Sequence, residues 1–191
     1  VKYDSVNLDM DIGWFQNIHT LALVRYNAHV YTSPSTKLIL DFKGNQARAR
    51  EKIRSLALEA LREHAGLDAF RRGYLVALPS HEQGSINAPC EYLCSELAHA
   101  FPDQFRYLRW ALRRTTSVAK SATAPPAARP TSDDHRMSIR YAGPPLDSRE
   151  QILMVDDVLT RGATSRACRD ILMQATGCKN VRGFFVAKTT R

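Results

Sequence analysis

Ile152-Leu153-Met154-Val155-Asp156-Asp157-Val158-Leu159-Thr160-Arg161-Gly162-Ala163-Thr164 joins an apolar run to a double acid and a small-residue turn, and a helical pattern follows at once. Ile152 to Val155 has the composition of a buried strand, which would deliver the next residues to the carboxyl edge of an α/β sheet, where such folds bind ligands. The turn Thr160-Arg161-Gly162-Ala163-Thr164 can present consecutive backbone amides to an anion, helped by the partial positive charge of the helix start. Gly162 is predicted to take a positive φ or to let the backbone approach a phosphate closely. Thr160 and Thr164 add hydroxyl donors and Arg161 a charge. Asp156 and Asp157 have no cation between them, so two ionised carboxylates there need hydroxyl or metal partners. Ribose 2- and 3-hydroxyls meet that need; four charge-assisted bonds at roughly 1.5 kcal/mol each give about 6 kcal/mol, a dissociation constant of roughly tens of micromolar. A pair of aspartates alone would be read as a solvated acidic turn. The ordered combination of strand, double acid and Thr-x-Gly-x-Thr turn is far more specific.

Working outward, Ser165 to Ala175 reads as a helix with Gly177 just beyond it, and Val181 to Ala187 as another strand. Upstream, Tyr74 to Leu78 is a short apolar run bounded by Gly73 and Pro79, followed by the polar loop Ser80 to Asn87. Pro89 suits the first turn of a helix that buries Tyr92, Leu93, Leu97 and Phe101. Ile53, Leu56, Ala57, Ala60 and Leu61 recur at helical spacing up to Gly66. Thr36 to Phe42 is β-prone. Leu21 to Val24, the turn-like Asn27-Ala28-His29 and Val30-Tyr31-Thr32 suggest a β-hairpin. Leu108, Trp110 and Leu112 alternate with more polar neighbours, as in a half-buried strand. Trp14, Phe15, Tyr26 and Trp110 read as core aromatics. Residues 115–148 break from all periodicity and are read as a long flexible loop. Strands alternating with helices predict an α/β fold with a parallel-sheet core and an appended N-terminal hairpin or hood. The domain reading is an extension over 1–35 and a single domain over 36–191.

The thirteen residues from Ile152 resemble the diphosphosugar-binding signature of the type I phosphoribosyltransferases. The chain looks most like the ComF-like, competence-associated branch: a strand ending at Pro79 precedes Gly84-Ser85-Ile86-Asn87, Leu112-Arg113-Arg114 precedes the long segment, and Lys43 sits before a helix. The resemblance implies binding of 5-phosphoribosyl-1-diphosphate. Asp156 and Asp157 would contact the ribose as the catalytic pair, and Thr160, Arg161, Gly162, Ala163 and Thr164 would hold the 5-phosphate. Ser80, His81, Glu82, Gln83 and Gly84 would form the diphosphate loop, with Arg113, Arg114, Lys120 and Arg129 closing over it from the flexible segment. Mg²⁺ would be held through the ligand and by Asp156 and Asp157, since it takes a few carboxylate or phosphate oxygens plus water. The branch's four-cysteine zinc ribbon is absent, Arg161 replaces a threonine, and Ser80-His81-Glu82-Gln83 replaces an arginine-rich loop.

Composition bounds the rest. The 191 residues, 44% hydrophobic, can bury one substantial core. Cys90, Cys94, Cys168 and Cys178 match no zinc spacing and read as buried thiols in a reducing compartment. No apolar run of about 18 residues predicts a membrane span. A soluble, cytoplasmic protein is the expectation, although Val1 in place of methionine suggests truncation or processing. The net charge of +8 favours polyanions and is compatible with nucleic acid. No GxxxxGK[ST] or GxGxxG motif occurs, which disfavours a nucleoside triphosphatase or a dinucleotide enzyme. Two functions follow: transfer of a phosphoribosyl group to an unidentified, nitrogenous acceptor, or a non-catalytic sugar-phosphate sensor in a larger assembly, such as a retron-type antiviral defence system, with nucleic acid or a partner protein. A homo-oligomer is compatible with both.

Overall fold

The structure is a computed structural model that describes residues 10–15, 20–27, 30, 32–64, 73–119 and 125–189. Among these, eight strands and five α-helices follow in the order β1 (Met10–Phe15), β2 (Thr20–Tyr26), α1 (Pro34–Lys43), α2 (Ala47–His64), β3 (Gly73–Ala77), α3 (Ala88–Ala100), β4 (Phe105–Tyr107), β5 (Leu112–Arg114), α4 (Ser132–Ser138), β6 (Ile139–Tyr141), β7 (Gln151–Leu159), α5 (Ala163–Thr176) and β8 (Asn180–Thr189). The main sheet has the order β1-β2-β8-β7-β3-β4. β2, β8, β7, β3 and β4 are mutually parallel, and β1 closes one edge antiparallel. The predicted parallel α/β core is therefore present.

Side chains of β3 and β7 alternate between two cores, as a pleated strand requires. Leu75, Ala77, Leu153 and Val155 face a cluster built from α1, α2 and α3, whereas Val76, Leu78, Ile152 and Met154 face one containing Cys168 and Leu172 of α5. Helices thus cover both faces, which explains why these strands read as continuous apolar runs. All four cysteines are buried free thiols. No helix among the described residues is long and apolar enough to cross a membrane.

Several local expectations are corrected. The β-prone run Thr36 to Phe42 lies in α1, because Pro34 opens a helix and Ser35, Leu38, Ile39 and Phe42 bury one helical face. The strand at Leu21 to Val24 pairs with β1 before it, with Trp14 opposite Leu21. It does not pair with Val30–Thr32: the Val30 amide donates to the Asn27 carbonyl at 3.1 Å and the Ser33 amide to Val30 at 3.1 Å, the bonds of successive turns. Ala28, His29, Tyr31 and Gly66 lie outside the described residues, as do the side chains of Trp14 and Phe15. β2 is also a strand of the main sheet, with Ala22, Leu23 and Val24 fully buried, so the N-terminal hairpin extends the core.

The alternation across Tyr107 to Arg113 is split by a turn. Trp110 takes φ 56° and is 40% exposed, so it leaves the core, and the Arg109 guanidinium stacks 4.4 Å from its ring centroid. Tyr26 packs half-buried against the core as expected. The aperiodic stretch 115–148 carries α4 and β6, and β6 pairs antiparallel with β5. A capping box starts α4: the Asp134 amide donates to Thr131 Oγ1, and the Thr131 amide donates to Asp134 Oδ2. The Thr-x-x-Asp spacing of that box is visible in the sequence, although the surrounding prolines and small residues hide it.

Candidate active site

Sheet order places the acids. From β3 the chain crosses through α3 to β4 on one side, and from β7 it crosses through α5 to β8 on the other. The carboxyl ends of β3 and β7 therefore diverge, and a crevice opens between them, the position where open α/β sheets bind ligands. Pairing between β3 and β7 stops at Ala77 opposite Val155, and the Leu78 amide caps it with a 2.9 Å bond to the Val155 carbonyl. β7 itself continues along β8 to Leu159. Asp156 and Asp157 are thus the first residues beyond the closed part of the β3–β7 ladder, at the mouth of the crevice.

Asp156 Oδ1 accepts from the Asp157 amide at 2.9 Å and from Asn87 Nδ2 at 3.3 Å. Asn87 precedes α3 at the end of the loop that leaves β3, so the two sides of the crevice meet here. Burial, and then the charge of Asp157, push the Asp156 carboxyl well above the usual carboxylate range. Asp157 instead faces a cation: Lys43 Nζ, at the end of α1, lies 3.3 Å from its Oδ2. Burial works to lower the Lys43 ammonium, yet Asp157 and Asp156 outweigh it and raise it above its ordinary value. Asp156 is therefore a buried acid whose neutral form is favoured, next to the ion pair of Asp157 with Lys43. Among the described residues, no three His, Cys, Asp or Glu side chains converge to hold a metal.

The turn that follows has the conformation its residues predict. Gly162 takes φ 72° and ψ 16° at the entry to α5, a left-handed conformation that a side chain disfavours. Thr160 and Arg161 form the exposed bend before it, and Ala163 and Thr164 open the helix. Ser165 is buried and its hydroxyl donates to the Gly162 carbonyl at 3.0 Å, tightening the turn. The first amides of a 14-residue helix thus lie beside the acids on one short segment.

The loop Ser80 to Gly84 is stitched to the residues after β5. The Val118 amide donates to the His81 carbonyl at 2.9 Å, the Gln83 amide to Ser117 Oγ at 2.8 Å, and the Gly84 amide to the Arg114 carbonyl at 3.3 Å. His81 Nε2 lies 3.6 Å from Glu82 Oε1, and Gly84 takes φ 68°.

Arg114 differs from the expected mobile cation. Only 4% exposed, it donates through Nε to the Ser80 carbonyl, through Nη1 to Ser138 Oγ at 2.6 Å and through Nη2 to His135 Nδ1 at 3.3 Å. A guanidinium buried this way is held by its partners and cannot swing over a ligand without abandoning them. Arg113, its neighbour on β5, is exposed and Arg129 is half-buried, while Lys120 lies outside the described residues.

Reading the chain in order missed three residues of this neighbourhood. His135 carries no local signature as a site residue, and Asn87 is marked only as the last residue of the Gly84-Ser85-Ile86-Asn87 loop. Lys43 is marked only by its place before a helix, and nothing local pairs it with an acid 114 positions later. His135 is 3% exposed and its Nε2 lies 3.1 Å from Thr164 Oγ1. Two cavities lie away from the acids, one of about 440 Å³ along α2 and one of about 160 Å³ at the opposite, amino-terminal edge of β3.

No family model and no curated protein matches the chain. Among solved structures, it is similar to the crystal structure of adenine phosphoribosyltransferase from Leishmania tarentolae, with 15% identity, 76% of this chain and 73% of that chain covered, and a TM-score of 0.36. At that identity and score, the chemistry of the site stands on its own residues.

Proposed function

We propose that the chain binds 5-phosphoribosyl-1-diphosphate and transfers the phosphoribosyl group to a nitrogenous acceptor. One observation carries this reading: the acid pair at the β3–β7 crevice, touched by Lys43 and Asn87, leads within five residues into the left-handed Gly162 entry of α5. Carboxylates for sugar hydroxyls and amides for a phosphate thus follow each other on one segment, in the order a ribose 5-phosphate presents them. Asp156 and Asp157 orient the ribose, and Thr160 to Thr164 anchor the 5-phosphate.

The chemistry is displacement at the anomeric carbon. The acceptor nitrogen forms the new C1–N bond, the C1–O bond breaks with its electron pair leaving on diphosphate, and the acceptor's N–H proton passes to solvent or a base. The transition state resembles an oxocarbenium ion, so the protein contributes positioning, charge stabilisation and exclusion of water. Mg²⁺ would be held by Asp156 and Asp157 together with ligand oxygens and water, and would neutralise charge on the leaving group. Asp156→Asn combined with Asp157→Asn is expected to abolish calorimetric binding of the diphosphosugar with Mg²⁺ while the circular dichroism spectrum is retained. Unchanged affinity would remove the acids from the site.

A second reading keeps the sugar-phosphate site without transfer, as a sensor in a larger assembly. It is favoured by the loop Ser80 to Gly84, which carries Glu82 where the resemblance expects arginines and is tied to Ser117 and Val118. The net charge of +8 leaves room for a nucleic-acid partner. Diphosphate release over a panel of nitrogenous acceptors supports the transferase. Binding without release, with nucleic acid that co-purifies and is lost at raised salt, supports the sensor.

A further inference from the structure

Arg114, His135 and Thr164 come from β5, α4 and α5, and they meet in a single hydrogen-bonded chain. Its polarity follows from elementary chemistry. A guanidinium has donors and no acceptor, so the 3.3 Å contact from Arg114 Nη2 requires His135 Nδ1 to be the acceptor. A neutral imidazole with Nδ1 bare carries its proton on Nε2. That proton then points to Thr164 Oγ1, 3.1 Å away, and the hydroxyl accepts. An accepting hydroxyl keeps its own hydrogen to donate, and among the described residues no hydrogen-bond acceptor contacts the Thr164 hydroxyl.

Resting on the sugar-phosphate reading above, we propose that His135 is a positioning residue which, with its tautomer set by Arg114, holds the Thr164 hydroxyl as a donor toward the 5-phosphate. It acts through Thr164 and does not touch the ligand. The arrangement also gives the β5–α4–β6 excursion a purpose: Arg114 ties it to the Ser80 carbonyl on the loop after β3, and His135 ties it to the first turn of α5. The two loops flanking the crevice are thereby held in one register. Burial, and then the charge of Arg114, keep the imidazole neutral at physiological pH.

Two measurements test this. In ¹⁵N-resolved spectra of the ligand-free protein, His135 is expected as the Nε2–H tautomer with Nδ1 bare; an Nδ1–H tautomer or an imidazolium at pH 7 overturns the relay without any ligand. In calorimetry with ribose 5-phosphate, His135→Ala and Thr164→Ala are each expected to weaken binding by about tenfold, the worth of one hydrogen bond, and the double variant no further. His135→Gln, whose amide nitrogen can take the place of Nε2, is expected to restore affinity to within about twofold. His135→Asn, which reaches only the Arg114 side, should remain as weak as His135→Ala. If the two losses multiply, or Asn rescues as well as Gln, His135 merely packs and the proposal is overturned. If the wild type binds neither ribose 5-phosphate nor the diphosphosugar, the sugar-phosphate reading fails first, and the donor role with it.

Discussion

Acid should unfold this protein partly through one buried imidazole. His135 is 3% exposed, with a guanidinium nitrogen 3.3 Å from Nδ1 and a hydroxyl oxygen 3.1 Å from Nε2. Burial first and the Arg114 charge second lower its pKa from 6.5 to about 4, and Asp134 opposes them only in part. Between those values the unfolded chain takes up a proton that the folded chain refuses, so stability falls as pH falls. The contribution is fully present above pH 6.5 and is lost progressively down to about pH 4. The whole interval corresponds to about 3 kcal/mol, approached at a slope of about 1.4 kcal/mol per pH unit. Carboxylates also titrate there, so the informative quantity is the difference between wild type and His135→Gln, which has no proton to take up. Urea unfolding of both proteins at half-unit steps from pH 7.5 to 4.5 measures it. Wild type is expected to lose ground against the variant steadily below pH 6.5. Parallel stability curves would refute the buried, arginine-facing imidazole on which the reasoning rests.

Gly162→Ala should cost roughly 1–2 kcal/mol by chemical denaturation, because φ 72° is left-handed, and should weaken ribose 5-phosphate binding in addition. Gly177→Ala at φ 74° provides the control, with a similar stability loss and unchanged binding. Lys43→Met removes the partner of Asp157 and should change stability by less than about 1 kcal/mol, since the pair is partly exposed. The two aspartates then lack their counter-charge, so affinity for free Mn²⁺ should rise at least about threefold by calorimetry; an unchanged value would place metal binding elsewhere. Thr131→Ala removes the hydroxyl of the α4 capping box and should cost about 1 kcal/mol. Hydrogen exchange should quicken in α4 while the amides of β7 stay protected.

The strand of β7, the acids after Val155, the left-handed Gly162 and the Gly177 stop of α5 were legible in the sequence because each depends on neighbours along the chain: apolar run length, a φ that glycine tolerates, a helix that must end. Pro89 marked α3 for the same reason. Where local signals conflicted, the packing decided. Thr36 to Phe42 suits a strand by composition, yet Pro34 and the burial of Leu38, Ile39 and Phe42 on one face make it helical. Trp110 fits an alternating pattern, yet the chain turns there after only three paired residues of β4. Sheet order alone brings Asn87 to Asp156 and Lys43 to Asp157, because β7 inserts between β8 and β3. The same long-range packing turns Arg114 inward and joins it through His135 to Thr164, three positions that no period or motif connects. Local chemistry placed the acids and the turn on one segment. Only the tertiary fold could supply the charges and hydrogen bonds that set their protonation, since those partners arrive through space.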